Sequence, residues 1–143
     1  MPGQFDSAIW PPTPIPESTK KLISRLFDVC DTNDPTNGVH LAEEVFTPEA
    51  QFVTVNGTFA GKDEISKSRS AAWNVVTYRR HIVDKIYPGD KEGNELILTG
   101  KLETRTKNGQ GTTVTDFAAR GIVDPSGPRL KLWQAYIGNS STA

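Results

Sequence analysis

The chain has 143 residues with a formal net charge of -1; 36% of them are hydrophobic and 23% charged, which excludes a disordered chain. No run approaches the ~18 apolar residues of a membrane span, and no concentrated basic surface of the kind nucleic acid requires is encoded. Cys30 stands alone and so forms no internal disulfide, while His40 and His81 lie outside any zinc-ligand spacing.

The residues from Met1 to Gln4 lack the basic start of a secretory signal, so the expectation is a cytoplasmic protein without metal or cofactor. Pro11, Pro12, Pro14 and Pro16 force an extended arm over 1–16, ahead of a single domain over 17–143. Phe5, Ile9 and Trp10 leave two readings of the arm open. Either it is solvated, or it lays Trp10 into a groove of its own or a neighbouring subunit. From Glu17 onward, Leu22, Ile23, Leu26, Phe27 and Cys30 recur at three-to-four spacing and predict a helix capped by Ser18 or Thr19. Asp31 falls on its buried side, at its end. Asp34-Pro35-Thr36-Asn37-Gly38 breaks the chain, and a short second helix runs through Leu41, Val45 and Phe46. A strand over 51–55 turns at Asn56-Gly57, a strong hairpin signal. Residues 63–73 predict a third helix with Ile65, Ala72 and Trp73 inward. After it the period is two, predicting strands at 77–87, 95–107, 111–123 and 129–137. Helices followed by a meander of long strands give an α+β fold: helices on one face of a curved antiparallel sheet, a cone whose open end makes a pocket.

This order of elements resembles the nuclear-transport-factor-2-like superfamily and, within it, the SnoaL-like proteins. The similarity is carried by Phe46-Thr47-Pro48-Glu49-Ala50-Gln51-Phe52, Gly57-Thr58-Phe59-Ala60-Gly61 and Arg79-Arg80-His81-Ile82-Val83. Leu98-Thr99-Gly100, Asn108-Gly109 and Thr115-Asp116-Phe117-Ala118-Ala119-Arg120 look like the fungal members of natural-product pathways. The superfamily includes isomerases, cyclases and dehydratases as well as binding and dimerisation modules, so fold alone does not give function. In scytalone dehydratase a histidine after the third helix points into the pocket, and His81 takes that place. Asp31 matches the aspartate at the end of its first helix, but Cys30 stands where it has a tyrosine. The resemblance also implies that Asp116 faces inward with Val114, Ala118, Arg120 and Ile122, and that Trp133, Ala135 and Ile137 do so on the last strand. Thr54 falls near the general-base aspartate of ketosteroid isomerase and cannot do that job.

The implied catalytic residues are therefore His81, Asp116 and Asp31, with Trp73, Trp133, Arg69, Arg120 and Thr54 around the substrate. His81 suits acid/base work near neutrality, with Asp116 to orient it or act as complementary acid and Asp31 in reserve. Each has a structural alternative. His81 could be a satisfied core histidine, and Asp116 an ion-pair partner of Arg120 or Arg69. Asp31 could bind loop amides, Arg69 could be solvated, and Trp73 and Trp133 could be plain core. The expected activity is cofactor-independent isomerisation, cyclisation or dehydration of a small apolar polyketide or terpenoid-type intermediate. The alternative is a non-catalytic ligand-binding or dimerisation module. A homodimer is expected through the outer sheet face, with Ile82, Ile86, Ile97, Phe117, Leu132 and Tyr136 outward and Lys101 and Glu103 paired across the axis.

Overall fold

The computed structural model describes residues 3–109 and 111–142, so Met1, Pro2, Gln110 and Ala143, at the ends of the expected arm and domain and between the strands expected at 95–107 and 111–123, lie outside the described residues. Helix α1 spans Glu17–Asp31 and buries Leu22, Ile23, Leu26, Phe27, Val29 and Cys30, the stripe expected from the spacing. Burying a side chain the size of Phe27 contributes about 2 kcal/mol. Its N-cap is Pro16 and makes no side-chain hydrogen bond; Thr19 is buried instead of capping. A short helix α2, Asn37–His40, passes into a π-helical turn, Leu41–Val45.

The predicted third helix is cut short: α3 spans Gly61–Lys67 only. Ser66 and Ser68 donate back to the carbonyls of Asp63 and Ile65, which competes with continuation of the helix. The next residues descend in single turns, Ala72 bonding to Arg69 and Asn74 to Ala71.

Among the described residues six strands follow the order β2-β1-β6-β5-β4-β3, with β1 Phe46–Thr54, β2 Gly57–Ala60, β3 Val76–Pro88, β4 Glu95–Thr106, β5 Thr113–Asp124 and β6 Arg129–Thr142. The α+β architecture is as expected, helices against one face of a curved sheet, but the sheet is mixed because β1 runs parallel to β6. The Asn56-Gly57 hairpin forms, with Gly57 at a φ of 132° that suits only glycine. Leu26, Phe27, Leu41, Phe46, Ile65, Leu96, Leu98 and Leu130 fill the space between helices and sheet.

β3 is an edge strand, so every second N–H along it has no neighbouring strand to bond. Three of these donors find substitutes: His81 N–H bonds the Asp31 carboxylate at 2.9 Å, Val83 N–H the Gln4 carbonyl and Ile86 N–H the Ile9 carbonyl. The arm therefore lies on its own chain. Trp10 stacks on Phe5 at 5.4 Å, and the Lys20 ammonium lies over the Trp10 ring, 4.4 Å from its centroid.

Candidate active site

Asp31 is the last residue of α1, and one carboxylate oxygen holds the backbone of β3 while the other meets the His81 ring. Oδ1 lies 2.6 Å from Nδ1, and the two side chains are only 12% and 17% exposed. This assigns the Nδ1–H tautomer, since a carboxylate accepts and does not donate. In the neutral ring the lone pair is then on Nε2, which has no hydrogen-bond partner among the described residues. Phe27 stacks on the imidazole at 4.7 Å and Phe117 meets it edge-on at 5.3 Å, so the ring is held in one orientation.

His81 lines a cavity of about 140 Å³ between α1 and the sheet. Leu26, Phe27, Phe52, Leu102, Trp133 and Ile137 supply apolar walls, and Thr54, Asn56, Arg69 and Arg79 the polar ones. Trp133, Ala135 and Ile137 face inward as expected, and Thr54 and Arg69 lie on the wall. Burial pushes the Cys30 thiol above its ordinary value, so the sulfur beside the cavity is a neutral wall. Arg79 was not singled out as a site residue from the sequence, although strand alternation puts it on the face of His81, two residues earlier. Among the described residues no three His, Cys, Asp or Glu side chains converge as a metal site would require.

Two of the expected site residues lie on the opposite face of the sheet. Asp116 is 55% exposed and pairs with Lys101 at 2.8 Å, directly across from it in the β4–β5 register. Arg120 pairs with Glu95 at 3.1 Å on that same outer face. The inward residues of β5 are Thr115, Phe117, Ala119, Gly121 and Val123. Phe117 and Val123 are buried while Val114 and Ile122, at the other parity, are only half-buried, and burying the former pair sets the phase of the strand. Trp73 is also outside the cavity; it opens on a groove of about 420 Å³ on the far side of Asp31 and lies under the Arg79 guanidinium, 4.8 Å from its ring centroid.

No protein-family model and no curated protein matches this sequence. Solved structures do resemble it in fold. A hypothetical protein with a ketosteroid isomerase-like fold from Catenulispora acidiphila DSM 44928, in complex with trimethylamine, is 15% identical, with a TM-score of 0.66 over 86% of each chain. A candidate SnoaL-like polyketide cyclase from Jannaschia sp. CCS1 is 13% identical, with a TM-score of 0.65 over 89% of this chain and 90% of that one. A type 2 hexachlorocyclohexane dehydrochlorinase is 10% identical, with a TM-score of 0.67 over 88% and 86%. The chain has the nuclear-transport-factor-2-like fold, and the structures that share it include one of unknown function beside others that bear the names of a cyclase, a dehydratase, an isomerase and a dehydrochlorinase.

Proposed function

We propose that the protein is a cofactor-independent acid/base enzyme in which His81 Nε2 moves a proton on a small, largely apolar substrate. The observation that carries this reading is the Asp31–His81 pair, set at the wall of a cavity whose other walls are mostly apolar. Nε2 takes a proton from a carbon next to a carbonyl, and the electron pair left behind passes into the carbonyl as an enolate. The imidazolium, stabilised by the Asp31 carboxylate, returns the proton at a second carbon for isomerisation, or to a departing hydroxyl for dehydration. A cavity near 140 Å³ admits about one six-membered ring. A larger polyketide or terpenoid-type substrate would place its reacting end inside and extend past Ile137 at the mouth. A cytoplasmic setting fits the single free cysteine.

The test uses proton exchange, which needs no knowledge of the native substrate. Acetophenone in D₂O should exchange its methyl protons faster with the protein than without it, followed by NMR. His81→Ala and Asp31→Asn should each reduce that rate by roughly 10²-fold or more. Asp116→Asn, on the other face, should leave it unchanged. Exchange that persists in His81→Ala at the wild-type rate would remove the proposed base.

We also propose that a second copy of the chain covers the outer face of the sheet. Ile97 on β4 and Tyr136 on β6 stand 43% and 51% exposed there, large apolar side chains on either side of β5.

A further inference from the structure

Two guanidinium groups, from the turn after α3 and from β3, border the same cavity as His81. Their protein partners are few and neutral. Arg69 Nη2 reaches the Cys30 carbonyl at 3.4 Å and Arg79 Nη2 the Ala72 carbonyl at 3.0 Å. Arg69 Nε and Arg79 Nη1 are buried with no acceptor, and neither guanidinium has an ion-pair partner among the described residues. A buried donor left unmade costs about 1–3 kcal/mol, and more when it belongs to a charged group. Asp31 is the nearby acid, but both of its oxygens are committed to His81. Arg69 also lies close enough to Arg79 to act on it: burial first and the Arg69 charge second hold Arg79 below its ordinary value. Two cations against one committed carboxylate leave this part of the cavity one negative charge short.

We infer that the cavity is built for a substrate that carries a carboxylate on a small apolar body, with the carboxylate held between Arg69 and Arg79. The inference rests on the acid/base reading for the neighbouring His81 and adds the class of molecule on which it acts. A planar guanidinium fork matches a carboxylate with two parallel hydrogen bonds, and a monoanion supplies the single missing charge. The remaining walls, Phe52, Leu102 and Trp133 among them, take the apolar part. Held this way at one end, the substrate presents a neighbouring carbon or hydroxyl to Nε2.

Benzoate and benzamide are suitable probes, being nearly equal in shape and differing in charge. Titration of the intact protein, followed by NMR shifts of its side chains, should show benzoate binding at least about tenfold more tightly. The shifts should centre on Arg69, Arg79 and Trp133, and the preference should weaken with added salt. Arg69→Gln and Arg79→Gln should each lower benzoate affinity by roughly tenfold and leave benzamide unchanged. Because Arg79 packs on Trp73, Arg79→Lys serves as a second variant that keeps charge; it should retain part of the preference, and circular dichroism checks its fold. Equal affinity for the two probes, shifts confined to the outer face, or a preference that survives both Gln substitutions would overturn the inference. The two readings fail separately. Benzoate preference without acetophenone exchange would sink the acid/base role alone. Exchange with no benzoate preference would leave that role standing and assign the arginines elsewhere.

Discussion

Phe27, Phe117 and Asp31 fix the His81 ring from its flat face, its edge and its Nδ1, leaving a single nitrogen for chemistry. Of these, Asp31 could be picked out beforehand because an acid on the buried side of an amphipathic helix needs a partner. Its bond to His81, fifty positions away, is only the reserve pairing that the resemblance implies, behind Asp116. Cys30, its neighbour, gives a prediction about stability. Burial raises the folded thiol above the ordinary value of 9.0. The folded protein therefore keeps a proton that the unfolded chain gives up, so this stability is complete below about pH 9 and is lost as pH rises through the folded value. The limiting slope is about 1.4 kcal/mol per pH unit. Denaturant melts from pH 8 to 11 should show a shallower alkaline decline in Cys30→Ala than in wild type; parallel curves would mean that the thiol titrates freely in the fold.

At the scale of elements, β3 and β4 do most to build the site. The arm and Asp31 act as the missing neighbour of the edge strand β3, which brings the end of α1 against His81. On β4, Gly100 makes room for Phe117. A Cβ there would overlap the Ile82 carbonyl oxygen and come 2.7 Å from the Phe117 ring. Gly100→Ala should therefore displace Phe117 from the His81 edge and cost about 1–3 kcal/mol. Calorimetry should read this as a melting temperature lower by about 4 °C per kcal/mol. An unshifted melt would show that the two strands move apart freely. The helical stripe of α1 was legible in the sequence because its apolar spacing is unbroken. The early end of α3 was not, since it depends on serine side chains turning back on their own backbone.

For the molecule as a whole, the outer sheet face is where the proposed second copy would sit. Phe117 and Ile86, expected on that face, are buried in the core instead, at 6% and 2% exposure. A register shift between Val83 and Lys85 carries Ile86 to the inner side along with Val83. Lys101, expected to reach across the axis, is held by Asp116 and Asp84 of its own chain. Ile97 on β4 and Tyr136 on β6 remain as exposed large apolar side chains of that face, with β5 between them. Sedimentation at micromolar concentration should give a dimer, and Tyr136→Lys should shift it toward monomer by placing a charge in the interface. A wild-type monomer under those conditions would leave this face to solvent.

Composition and periodicity alone determined the order of elements, the buried stripe of α1, the hairpin at Asn56-Gly57 and the change to strand period after the third helix. These are local properties, set by residues a few positions apart. Tertiary structure decided which way each strand faces and what meets in the cavity. Alternation fixes a period of two and leaves its phase open. On β5, with apolar residues at both parities, that phase follows from pairing Lys101 with Asp116 and from burying Phe117. The convergence of Asp31, Arg69 and Arg79 around His81 joins a helix end, a turn and an edge strand, and it exists only once the sheet has closed on the helices.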